Sequence, residues 1–122
     1  MAKILVIDDS IVIRNLLDEY LSDLGHEVGL ARDGQEGIDM ALSGDYVIAV
    51  CDIHMPRQNG YEVFRTVKQQ RPDIRFVMTD SLPDELAEQA QAAGAHAVLT
   101  KPFDLHQVRA TIEFLVKKVK AL

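Results

Sequence analysis

Five short apolar runs alternate with five stretches of helical period, and no other feature of the chain limits the fold as strongly. The runs are Ala2 to Ile7, His26 to Ala31, Tyr46 to Cys51, Ile74 to Met78 and His96 to Thr100. Most are continuous rather than alternating, as expected of strands covered on both faces. The second run is the weakest. Between the runs lie helices with recognisable ends. Ser10 is placed to cap a first helix that buries Ile13, Leu16, Leu17, Tyr20, Leu21 and Leu24, and Gly25 closes it as a C-cap. Asp33-Gly34 opens a second helix through Ile38 and Leu42, stopped at Gly44. Val63, Phe64 and Val67 mark a third, ended before Pro72. Pro83 sits near the first turn of a fourth, Ala-rich helix running to Gly94, with Asp84 and Glu85 placed to favour its dipole. Asp104 caps a fifth, whose stripe is Leu105, Val108, Ile112, Leu115 and Val116.

A strand–helix unit repeated five times implies an α/β fold: a doubly wound, five-stranded parallel sheet with right-handed crossovers and helices on both faces. With the flavodoxin-like strand order 2-1-3-4-5, the ligand crevice lies outside the carboxyl ends of strands one and three. The 122 residues are expected to form one domain, residues 1–122, with no linker or repeat.

Five polar residues follow the apolar runs at that end: Asp8, Asp9, Asp52, Thr79 and Lys101. Each alone reads as a cap or turn residue. Together, at the ends of strands one, three, four and five, they read as one site. Three carboxylates in a crevice repel each other unless a cation is present. Oxygen-only donors favour a hard divalent ion, Mg²⁺ or Mn²⁺, and Mg²⁺ commonly pairs one or two carboxylates with a phosphate. A carboxylate beside the ion can act as a nucleophile and form an acyl phosphate. Lys101 and Thr79 supply the donors that a transferring phosphoryl group needs.

Charge and cysteine content narrow the classes further. A formal charge of -6 argues against direct binding to nucleic acid or an anionic membrane. Arg109, Lys117, Lys118 and Lys120 on the last helix read as a solvated face. The single cysteine, Cys51, lies inside an apolar run, so neither an internal disulfide nor a thiolate metal cluster is expected. No signal-peptide pattern opens the chain and no apolar run approaches membrane-spanning length, so a cytoplasmic location is expected.

The motifs that carry this site are Ile4-Leu5-Val6-Ile7-Asp8-Asp9-Ser10, Asp52 with Met55-Pro56 and Asn59-Gly60 behind it, Thr79, and Lys101-Pro102-Phe103. In this order, with intervals of 27 residues from 52 to 79 and 22 from 79 to 101, the chain resembles the response-regulator receiver domain over essentially its whole length. The resemblance implies two-component phosphorelay signalling, with a sensor histidine kinase or histidine phosphotransfer protein as donor. It implies Asp52 as phosphoacceptor, Asp9 as a direct metal ligand, Asp8 as a ligand through water, and the backbone carbonyl of His54 as another. Thr79 and Lys101 would each bond a phosphoryl oxygen, and the Lys101–Pro102 bond would be cis. The domain would assist its own phosphorylation and hydrolysis without being an enzyme. Its output would be protein contact through the face of the fourth helix, fifth strand and fifth helix. Because the chain stops after its fifth helix, a stand-alone regulator is expected; a receiver cut from a larger regulator or hybrid kinase would read the same.

Two positions depart from the family pattern. A small residue normally follows the threonine, but here it is Asp80, whose side chain is expected to swing to solvent. An aromatic residue normally stands three positions before the lysine, but here it is Val98, which is stiff and small. An aspartyl-nucleophile phosphatase would carry Asp-x-Asp, whereas the residue two after Asp52 is His54. A flavodoxin-like cofactor site would need a phosphate-cradling loop after the first strand, where Asp8-Asp9-Ser10-Ile11-Val12 stands. Asp52-x-His54 hints at a cobalamin-binding motif, but Arg57 occupies the place of its glycine. His54 is expected to be a loop side chain facing solvent near the metal.

Overall fold

The computed structural model describes residues 1–81 and 84–120; the expectation for Pro83 lies outside the described residues. The elements run β1 (Lys3–Ile7), α1 (Ile11–Asp23), β2 (Glu27–Ala31), α2 (Gly34–Ser43), β3 (Ile48–Asp52), α3 (Gly60–Gln70), β4 (Arg75–Asp80), α4 (Glu85–Ala92), β5 (Ala97–Thr100) and α5 (Leu105–Lys120). The five strands form one parallel sheet in the order β2-β1-β3-β4-β5.

Strand pleating divides the core in two, because successive side chains point to opposite faces. Ile4, Val6, Ile48, Val50 and Val77 meet Leu17 and Leu21 of α1 and Val108, Ile112 and Leu115 of α5. Leu5, Ile7, Ala49, Cys51, Phe76 and Met78 meet α2, α3 and α4 through residues such as Ile38, Val63, Phe64 and Ala90. Phe64 and Phe76 pack edge to face with ring centroids 5.2 Å apart. Both faces of every central strand are thus covered, which is why the runs read as continuous.

The caps follow the expected chemistry. Ser10 Oγ accepts from the Ile13 amide, and Asp33, Asn59 and Asp84 cap α2, α3 and α4. Asn59 and Glu62 form a reciprocal capping box. Asp104 Oδ1 accepts from the His106 amide at 2.9 Å. Gly25, at φ +92°, lies one residue beyond the cap Leu24, where the left-handed conformation favours glycine.

Three details differ from the sequence reading. Leu16, expected in the core, is 39% exposed, because the α1 stripe that meets the sheet passes through Leu17 and Leu21 instead. The strongest apolar run begins its strand at Ile48, after Tyr46 and Val47, and includes Asp52. Thr79 is not a terminal residue: β4 continues to Asp80.

Candidate functional site

Parallel pairing brings the expected residues to one edge. Ile7 is in register with Cys51 and Asp52 with Thr79, so the segments that follow β1 and β3 leave the sheet side by side. Asp8, Asp9 and Asp52 offer carboxylate oxygens that all lie within 4.8 Å of one another. Asp8 and Asp52 are buried, while Asp9 is exposed. Thr79 is buried beside Asp52, and its carbonyl accepts from the Ile53 amide at 2.9 Å.

Asp8 is fixed on both oxygens. Oδ1 accepts from the Ser10 amide at 2.9 Å, and Oδ2 accepts from Lys101 Nζ at 2.9 Å. Lys101 Nζ also lies 3.4 Å from Asp52 Oδ1, so one ammonium spans both buried carboxylates. The Lys101 amide donates to the Asp80 carbonyl at 2.8 Å, which ties the end of β5 to β4; the Lys101–Pro102 bond is cis, as expected. Burial pulls the Lys101 pKa down, but the bond to Asp8 and the charges of Asp8 and Asp52 outweigh it, and the net direction is upward. Asp52 is pushed up to about 6, first by burial and then by the charge of Asp8, with Lys101 opposing both. A carboxylate in that condition gains strongly from a cation.

Two supports were not anticipated. Arg14 Nη1 donates to the Asp8 carbonyl at 2.8 Å, holding the loop after β1 against α1. Arg14 stands one turn past the cap Ser10, which was the available signal. Gly60, part of the Asn59-Gly60 motif behind Asp52, also has a packing role. Its amide donates to the Ile53 carbonyl at 2.7 Å, and a Cβ there would stand 2.9 Å from Ile53 Cα and press into the Asp52 carbonyl oxygen. The start of α3 can approach β3 this closely only because residue 60 lacks a side chain.

Asp80 does not swing to solvent. It is 2% exposed, and its Oδ2 lies 3.6 Å from His54 Nε2. The reason is strand alternation: Asp80 shares a face with Phe76 and Met78, the face that α4 covers. His54 is half exposed, yet its ring is tied back, with Nε2 2.9 Å from Asp84 Oδ2. Val98 is half-buried in register with Met78 and packs on the same core.

A family model described as the response regulator receiver domain matches residues 4–113. The chain belongs to that family. Among curated relatives, the receiver is 32% identical over 121 residues to the transcriptional regulatory protein PdtaR of Mycobacterium tuberculosis, covering 98% of this chain and 59% of that protein. It is 36% identical over 121 residues to the response regulator MprA of Mycobacterium avium, covering 97% of this chain and 52% of that protein. The receiver therefore spans between half and three-fifths of the length of these relatives. Among solved structures, chemotaxis protein CheY4 of Vibrio cholerae matches with a TM-score of 0.87 at 31% identity, over 94% of this chain and 98% of that one. A receiver domain protein from Clostridium thermocellum matches with a TM-score of 0.93 at 27% identity, over 99% and 98%. The expected doubly wound fold and strand order are those observed. No described helix of the receiver is long and apolar enough to cross a membrane.

Proposed function

We propose that the whole chain, residues 1–122, acts as one receiver that takes a phosphoryl group onto Asp52. The observation that carries this reading is the single ammonium of Lys101 spanning Asp8 and Asp52 beside a third carboxylate, Asp9, and the buried Thr79. The donor is a phosphohistidine on a sensor histidine kinase or a histidine phosphotransfer protein. An Asp52 carboxylate oxygen attacks phosphorus, the phosphorus–nitrogen bond breaks, and the imidazole leaves with the bonding pair.

The donor set fits a hard divalent cation, because its side chains offer only oxygen and carry excess negative charge. Asp9 and Asp52 would hold Mg²⁺ directly, Asp8 through water, and the His54 carbonyl would complete the protein's share; Mn²⁺ suits the same donors. When bound, the cation neutralises charge on the carboxylates and on the transferring group. Lys101 Nζ donates to one phosphoryl oxygen and the Thr79 hydroxyl to another, which positions the group without covalent chemistry. The same residues then assist hydrolysis of the aspartyl phosphate.

Output is by protein contact in the cytoplasm rather than by direct binding to nucleic acid or membrane, in keeping with the net charge of -6. The face of α4, β5 and α5 presents Phe114, 57% exposed, with Lys118 Nζ 4.9 Å from its ring centroid. A groove beside it is lined by His96, Ala97, Ala110 and Thr111.

The direct test is intact-protein mass spectrometry after incubation with Mg²⁺ and acetyl phosphate. Wild type gains one phosphoryl group, and Asp52→Ala gains none. No uptake by wild type, or equal uptake by Asp52→Ala, would sink the assignment.

A further inference from the structure

One contact of this receiver is left over when the phosphoryl chemistry is accounted for. His54 Nε2 lies 2.9 Å from Asp84 Oδ2 and 3.6 Å from Asp80 Oδ2. A carboxylate can only accept, so Nε2 is the nitrogen that carries the proton in this contact. We propose that His54, Asp80 and Asp84 form a clasp that transmits the state of Asp52 to the first turn of α4, with His54 as a positioning residue. The inference rests on Asp52 being the phosphoacceptor.

Each member of the clasp is tied to the site or to the helix. His54 follows Asp52 by two residues, on a loop pinned by the Ile53 amide to Thr79 and by the Gly60 amide to Ile53. Asp80 directly follows Thr79, which is in register with Asp52. Asp84 is the N-cap of α4: its Oδ1 accepts from the Leu86 amide at 3.0 Å and from the Ala87 amide at 3.4 Å, leaving Oδ2 for His54. The imidazole therefore joins the phosphoacceptor loop to the cap of the helix.

The helix at the far end is suited to respond. α4 has eight residues, and its buried residues are the alanines Ala87 and Ala90. So little apolar area anchors it weakly, and a change at its cap is a large part of what holds its first turn. Position 98, where an aromatic side chain would pack and could turn, holds half-buried Val98, whose β-branch leaves it few rotamers.

Phosphorylation supplies the driving force. It places further negative charge on Asp52, beside the strand that carries buried Asp80. That charge competes with Asp84 for the His54 N–H. The contact to Asp84 then lengthens and the first turn of α4 loosens.

The test uses beryllofluoride with Mg²⁺ as the phosphoryl mimic on the full chain. ¹⁹F NMR reports occupancy of Asp52, and hydrogen exchange reports the Leu86 and Ala87 amides. Asp84→Ser keeps a capping oxygen but removes the acceptor for His54; His54→Ala removes the donor. In wild type, beryllofluoride speeds exchange at these amides several-fold. In either variant at saturation, the ratio of exchange rates with and without the mimic falls to within about twofold of one. The double variant behaves like the single ones, because both remove the same contact. A wild-type-like response in Asp84→Ser, or additive effects in the double variant, overturns the clasp while leaving the phosphoacceptor reading intact. Failure of wild type to bind beryllofluoride overturns both.

Discussion

Asp52→Asn makes the metal-free domain more stable at neutral pH. The Asp52 carboxyl sits at about 6 in the folded protein against an ordinary 3.8, because it is buried and faces the charge of Asp8. An acid with a raised folded-state pKa holds more protons folded than unfolded between the two values. Stability therefore falls as pH rises through that window, and the loss is complete above about pH 6. The difference corresponds to about 3 kcal/mol. The attraction of Lys101 Nζ, 3.4 Å away, is already included, since it is one of the influences that hold the value down. Asparagine keeps the shape and cannot ionise. Urea unfolding with a chelator present measures this directly. Wild type and Asp52→Asn nearly match at about pH 4, and at about pH 7, with solvent screening discounted, the variant is more stable by about 1–3 kcal/mol. Saturating Mg²⁺ narrows the gap, because a bound cation offsets the same repulsion. If the variant is no more stable than wild type at neutral pH in chelator, burial and charge repulsion do not dominate at Asp52.

Three further outcomes follow from the packing. Gly60→Ala forces α3 away from β3, because the new Cβ meets Ile53 Cα at 2.9 Å; thermal unfolding should show a loss of about 1–3 kcal/mol, and phosphorylation by acetyl phosphate should slow. Arg71→Ala removes donors to the carbonyls of Ala41, Gly44 and Tyr46 and to Asp73; it should cost about 1–3 kcal/mol by urea titration, with the aspartyl-phosphate half-life unchanged. Burial, aided by the charges of Asp52 and Asp8, pushes the Cys51 thiol far above its ordinary range. It should resist maleimide in the native protein and react at once in denaturant, as followed by mass.

Much of this receiver was legible in one dimension because its signals are local. Ser10 and Asp104 cap α1 and α5 as expected, and Asp33 caps the helix it was expected to open, through side chains that reach only two or three residues along the chain. Asn59 and Asp84 cap by the same local chemistry, though the sequence reading did not assign them as caps. The buried strands announce themselves as continuous apolar runs because both faces are covered. The errors fall where a neighbour in space decides. Leu16 looked like a member of the α1 stripe, but the stripe width depends on how α1 sits on the sheet. Asp80 looked like a strand-end residue free to reach water, but β4 extends through it and pleating turns it under α4. The contact from His54 to Asp84 crosses 30 residues of chain and leaves no local pattern.

The residue types of the site were legible in the sequence alone: three carboxylates, a hydroxyl and an ammonium at or next to the carboxyl ends of strands one, three, four and five. Any parallel sheet of order 2-1-3-4-5 must gather them, because register fixes which strand ends meet. Tertiary structure decided their condition. It buried Asp8 and Asp52 but not Asp9, stretched Lys101 across two carboxylates, and pressed Gly60 against the backbone of Asp52 and Ile53. It also turned Asp80 inward toward His54. Charge interactions and desolvation depend on distance and solvent exposure in space, and spacing along the chain determines neither.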